Sequence, residues 1–266
     1  MRIEAALADC RHDEETMPHT TREIETADGR CPAHVFHPDG DGPWPAVLVF
    51  HDGMGVRPAM LEIAERVASA GYYAVLPDLF YRIGGFRADP ATLFTDPVQR
   101  ADFMERVAPT ASAPNVMRDM EGFLAHLDGA PKARRGPIGI TGYCMGGRLS
   151  FVAAGTYGDR IAASAAYHPS NLATDAPDSP HLLAPRVTAS VYVGAAMEDR
   201  GFDAAQQSRL DRALADAGVD HVVEQYHAHH GWVPSDTPVH DPAEAERHWR
   251  TLLALLEREL GEGPAA

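Results

Sequence analysis

The chain has 266 residues, 45% hydrophobic and 23% charged, which excludes disordered, collagen-like and disulfide-scaffold classes. Lys and Arg number 23 against 38 Asp and Glu, a net charge of −15, so nucleic acid and anionic membrane surfaces are poor partners for the chain as a whole. Cys10, Cys31 and Cys144 are too few and too scattered for a disulfide framework, and no CxxC pair suggests zinc; a reduced, cytoplasmic protein is the expectation. Residues 1–20 are polar and acidic, unlike a signal peptide, and no run reaches the ~18 apolar residues of a membrane span. They are read as a polar N-terminal extension, and residues 21–262 as a single domain.

In chain order, short apolar runs alternate with longer amphipathic ones, the pattern of strands linked by helices in a largely parallel sheet. Strands are expected at 22–26 and 33–37, joined by a turn at Asp28-Gly29, where glycine accepts positive φ. This hairpin makes an antiparallel edge. Residues 46–51 form an unbroken apolar run, as in a central strand buried on both faces. Met60, Ile63, Ala64 and Val67 recur at helical spacing, Gly71 ends that helix, and 72–76 is the next strand.

The stretch from Pro77 to Pro114 is weakly periodic and reads as a lid-like excursion over a site, with short helices of its own. A helix stripe follows at Val116, Met120, Phe123, Leu124 and Leu127. Further strands are expected at 137–141, 161–167, 188–193 and 222–226, with helices at 148–154, 206–217 and 242–260. The fold class is α/β, a mostly parallel sheet with helices on both faces.

The strongest chemical signal is Gly142-Tyr143-Cys144-Met145-Gly146-Gly147, between an apolar strand and a helical run. It has the form G-x-nucleophile-x-G, with the nucleophile on a tight strand-to-helix turn. Residues without Cβ at 142 and 146 let the backbone close that turn. The following helix presents its positive end to Cys144, which favours the reactive thiolate. In the order nucleophile, acid, histidine, the later strands run into Gly194-Ala195-Ala196-Met197-Glu198-Asp199 and His227-Ala228-His229-His230-Gly231-Trp232.

On these residues, together with Pro77-Asp78-Leu79-Phe80 and with His230-Gly231-Trp232 in place of the family's His-Gly-Phe, the chain resembles the dienelactone hydrolase family. This family is the cysteine-nucleophile branch of the α/β-hydrolases, and the match spans about residues 46–260. The resemblance implies the α/β-hydrolase fold, with Cys144 as nucleophile, His230 as base and Asp199 as the residue orienting it. Glu198 competes for the acid and His229 for the base. The family places a glutamate beside the resting thiol; Asp52 stands at that position, either as a thiol-gating carboxylate or as a turn residue bonding its own backbone. The oxyanion hole is expected from the N–H groups of Met145 and Gly53. Tyr81, Arg82, Phe86, His168 and Trp232 are candidates to line the pocket, and Arg82 is a candidate to bind a substrate carboxylate.

Fourteen histidines raise the question of metal, but His227, His229 and His230 lack an acidic or cysteine partner at ligand spacing. The expected function is hydrolysis of a small ester or lactone through an acyl-cysteine intermediate, with a small-molecule partner and no cofactor. The alternative is a catalytically silent small-molecule-binding protein of the same fold. A thiol redox protein is disfavoured because no resolving cysteine accompanies Cys144.

Overall fold

The computed structural model describes residues 17–261. Cys10 and most of the expected extension lie outside them. Eight strands form one sheet: β1 (His19–Thr26), β2 (Gly29–Phe36), β3 (Ala46–Phe50), β4 (Tyr73–Pro77), β5 (Ile138–Tyr143), β6 (Ile161–Tyr167), β7 (Ser190–Ala195) and β8 (His221–Gln225). Their order is β1-β2-β4-β3-β5-β6-β7-β8. The hairpin β1–β2 is antiparallel, β2 pairs antiparallel with β4, and every later pairing is parallel. This is the α/β-hydrolase architecture.

Helices α1 (Pro58–Ser69), α2 (Pro97–Asp102), α3 (Ala113–Gly129), α4 (Met145–Thr156), α5 (Ala204–Asp216) and α6 (Pro242–Leu260) complete the fold. Period-two alternation in the central strands feeds two cores. Leu48, Phe50, Val75 and Ile140 face α3, α4 and α5, whereas Val47, Val49, Ala74 and Tyr143 face α1 and α6. All five residues of β3 are buried, as its unbroken apolar run requires.

Several boundaries differ from the sequence reading, and three of them show why. β1 begins at His19, inside the stretch read as extension. β5 runs on to Tyr143, and α4 starts directly at Met145 despite Gly146 and Gly147. A Cβ at Gly146 would strike the carbonyls of Phe50 and His51, so only glycine lets α4 begin that close to β3. The excursion after β4 is a chain of short turns, with 3₁₀ segments at Tyr81–Ile83 and Ala108–Ala111 flanking α2. Asp96 caps α2, its Oδ1 accepting from the N–H groups of Val98 and Gln99 at 2.8 and 3.1 Å.

The chain leaves β3 for β4 on one side and returns to β5 on the other. The crevice at the carboxyl ends of β3 and β5 is therefore the point where an open α/β sheet binds its ligand.

Candidate active site

Cys144 sits at that crevice, between β5 and α4, with φ 53° and ψ −112°. A non-glycine residue held there is strained, and its surroundings hold it in place. Its N–H donates to the Tyr167 carbonyl at 3.0 Å, and its own carbonyl accepts from the Arg148 N–H at 3.2 Å. A Cβ at Gly142 would fall on the Gly146 carbonyl. The glycines at 142 and 146 thus allow the turn, as the motif predicts. The thiol is free and partly exposed.

Asp199 and His230 arrive on the loops after β7 and β8. The two loops are tied by the Met197 N–H donating to the Ala228 carbonyl at 2.9 Å. His230 Nδ1 donates to Asp199 Oδ2 at 2.7 Å, and Asp199 Oδ1 accepts from the Gly201 N–H at 2.8 Å. Cys144 also acts on the imidazole, which places its sulfur beside the ring. Burial alone would lower the His230 pKa, but Cys144 and Asp199 outweigh it and push the imidazole up to about 10. Burial opposes ionisation of Asp199, yet the bond from His230 holds its carboxyl below the ordinary range. Cys144, His230 and Asp199 are therefore brought together, with His230 and Asp199 joined by a hydrogen bond. Glu198 and His229, the competing neighbours, are both exposed.

The loop after β3 carries Gly53 and is buried throughout. The N–H groups of Gly53 and Met145 donate to no acceptor among the described residues. Asp52 spends both carboxylate oxygens elsewhere. Arg57 donates to Oδ1 at 2.7 Å and to Oδ2 at 2.9 Å, and the Met54 N–H donates to Oδ1 at 2.9 Å. Arg57 also donates to Asp236 at 2.7 and 3.0 Å. One buried guanidinium thus straps the loop carrying Gly53 to the loop that follows His230. His51 braces the same turn: its Nε2 accepts from the Leu79 N–H at 3.0 Å, so Nδ1 carries the proton and donates to the Asp52 carbonyl at 2.6 Å. Burial keeps this imidazole neutral, with its pKa below the usual histidine value.

The other candidates divide. His168 is fully buried beside the site, its ring 5.1 Å from that of His230 and 4.9 Å from that of Trp232. Burial pushes its pKa well down, helped by His230 and His248. Trp232 is buried behind His230 and stacks on Tyr226 at 4.8 Å. Tyr81 donates to Asp119 at 2.9 Å. Arg82 is engaged by Asp119 at 2.6 and 2.9 Å and by Asp28 at 2.7 and 3.0 Å. A carboxylate reaching Arg82 would have to displace two aspartates.

Sequence reasoning missed Arg57 and Asp236, and also the rings against Gly53. A Cβ on Gly53 would lie 3.1 Å from Phe103 and 3.5 Å from Phe94. Phe86 packs on Phe103 with centroids 5.7 Å apart. The clustering of phenylalanines at 80, 86, 94 and 103 was the available signal. Among the described residues no group of three or more His, Cys, Asp or Glu is placed to hold a metal ion, and no helix is long and apolar enough to cross a membrane.

The sheet, the strained turn after β5 and the ordered loops after β7 and β8 are those of an α/β-hydrolase. The profile of the dienelactone hydrolase family matches residues 31–260, and the chain belongs to that family; it is an ester or lactone hydrolase. A protein of Methylorubrum extorquens named "Putative carboxymethylenebutenolidase" is 32% identical over 243 residues, covering 86% of this chain and 77% of the relative. Two solved structures share the fold. One, described as "Putative Dienelactone Hydrolase" from Klebsiella pneumoniae, has a TM-score of 0.80 at 20% identity, covering 91% of this chain and 99% of that one. The dienelactone hydrolase of Anabaena variabilis has a TM-score of 0.66 at 16% identity, covering 91% and 98%.

Proposed function

We propose that this enzyme hydrolyses a small carboxylic ester or lactone through an acyl-cysteine intermediate, and that it works in the reducing cytoplasm. The observation that supports this reading is Cys144, held on the strained turn after β5 beside the imidazole of His230, whose Nδ1 is hydrogen-bonded to Asp199. His230 removes the proton of the Cys144 thiol, and the sulfur stands at the N-terminal end of α4.

The thiolate attacks the acyl carbon, a C–S bond forms, and the carbonyl electron pair moves to the oxygen, which the Gly53 and Met145 N–H groups receive. Collapse breaks the C–O bond, and the departing alkoxide takes the proton from His230 Nε2. The neutral imidazole then removes a proton from water, hydroxide attacks the thioester, and the C–S bond breaks. The acid leaves, the thiolate is restored, and His230 keeps the proton. Asp199 holds the Nδ1 proton and the ring orientation throughout. Phe94 and Phe103 beside Gly53 support an apolar group next to the scissile carbonyl.

The test is a panel of esters, lactones and thioesters with intact-mass detection of acylated protein. Wild-type protein should turn over at least one ester or lactone and carry one acyl group, which Cys144→Ala neither accumulates nor turns over. Wild-type turnover by Cys144→Ala would overturn the mechanism, and ligand binding without acylation would favour a silent binding protein.

A further inference from the structure

A second cavity, of about 530 Å³, lies between the start of α3, one face of α4 and the loop preceding β7. None of Cys144, Asp199, His230 or Gly53 lines it. On α4 its wall is Arg148, Val152 and Thr156, positions four residues apart that share one helical face. Met117 on α3 and Leu182 and Leu183 on the loop make the facing walls apolar. Leu182 is exposed at the rim.

Arg148 has no matching anion. Its Nε is sealed from solvent without a hydrogen-bond partner, and among the described residues no carboxylate lies within ion-pair distance of it. Asp178, exposed on the cavity rim, acts on it only at longer range, and burial holds the guanidinium below its ordinary pKa. The contrast within the chain is with Arg57 and Arg82, each embraced by two aspartates. Arg148 is part-buried, and leaving a partly desolvated cation unmatched is unfavourable. Side chains on a helix lean toward its N-terminus, which puts the charge toward the start of α4 and leaves Val152, Met117 and Leu183 as apolar wall beyond it, with Thr156 farther along α4.

We infer that this cavity binds a monocarboxylate with an apolar tail, its carboxylate on Arg148 and its tail between Val152, Met117 and Leu183. The planar guanidinium suits a two-oxygen carboxylate, and a chain of net charge −15 disfavours ligands carrying several negative charges. The site is separate from the catalytic residues and does not depend on the proposed reaction.

Sodium octanoate is the probe, titrated calorimetrically into the full chain, with 1-octanol as the neutral counterpart. Wild-type protein and Cys144→Ala should both bind one octanoate saturably, and 1-octanol should bind at least roughly ten-fold more weakly. Arg148→Met should weaken octanoate about ten-fold or more and leave 1-octanol unchanged. Leu182→Asp, a surface change that leaves the core intact, should also weaken octanoate. Wild-type protein without saturable uptake, or unchanged octanoate affinity in either variant, overturns the assignment. Loss of binding in Cys144→Ala also overturns it, by placing the octanoate in the catalytic crevice.

Discussion

Two aspartates stand at equivalent stations in this sheet. Asp52 follows β3 and Asp199 follows β7, each within a few residues of the carboxyl end of a parallel strand and each hydrogen-bonded to a cation or potential cation. Their partners separate them. Asp199 holds a histidine that can gain and lose a proton and that lies beside the thiol. Asp52 holds an arginine, which stays protonated at any working pH and whose other face is bound to Asp236. The first pair can move charge during a reaction, and the second fixes the position of a loop. A carboxylate at the end of a strand is catalytic or structural according to what it is paired with, and the strand pattern alone does not reveal that.

The comparison is broken most forcefully from the catalytic side. Cys144→Ala and His230→Ala are each expected to lower kcat by a factor on the order of 10³ or more, with the fold retained by circular dichroism. Asp199→Asn should cost on the order of 10²-fold, and combined with His230→Ala it should add little, because both act through one imidazole. Independent effects in that double-mutant cycle would dissolve the pair.

Protonation sharpens the contrast further. His230 is raised from an unfolded value of roughly 6.5 to about 10, so the folded state binds the extra proton between those values. Its contribution to stability is complete below about pH 6.5 and is lost as the pH rises through about 10. Urea midpoints measured from pH 6 to 11 should therefore decline on the alkaline side, and the decline should flatten in Cys144→Ala, which removes the main cause that raises the imidazole. Equal slopes in both proteins would disconnect His230 from the thiol.

The structural pair should fail differently. Asp52→Ala leaves a buried guanidinium half-matched and should cost about 3–5 kcal/mol of stability by denaturant titration. The rate of iodoacetamide labelling of Cys144 should stay unchanged, since the Asp52 oxygens are bound to Arg57 and Met54. Faster labelling would return Asp52 to the role of gate on the thiol. The smallest effect is expected from His229→Ala, with kcat within about two-fold of wild type, because the ring is exposed and Asp199 bonds His230 instead.

Much of this was legible along the chain because the signals are local. The glycines at 142 and 146 announce a turn that no larger residue can make, and the strand and helix periods locate every parallel strand to within a few residues. The Arg57–Asp236 bond joins positions 179 residues apart, and no period or motif encodes such a pairing. Arg82 illustrates the same limit from the other side. Its neighbours in sequence suggest a substrate-facing residue, but Asp28 and Asp119, brought in by β1–β2 and α3, occupy it. The rings at 94 and 103 sit in a stretch without periodicity, so their approach to Gly53 is a product of packing alone.

The Arg57 strap also bears on how the enzyme loses activity. Closing a contact across 179 residues requires that β3 through β8 already be in place, since the loop entropy is offset only after the intervening sheet has formed. The guanidinium is buried together with the loop that carries Gly53, so the strap opens only when that loop gives up its packing. Without it, the loop that carries Gly53 and the loop that carries His230 lose the side-chain bonds to Asp236 that join them through Arg57. A substitution at Arg57 should therefore reach the reaction through the relative placement of these two loops more than through the hydrophobic cores.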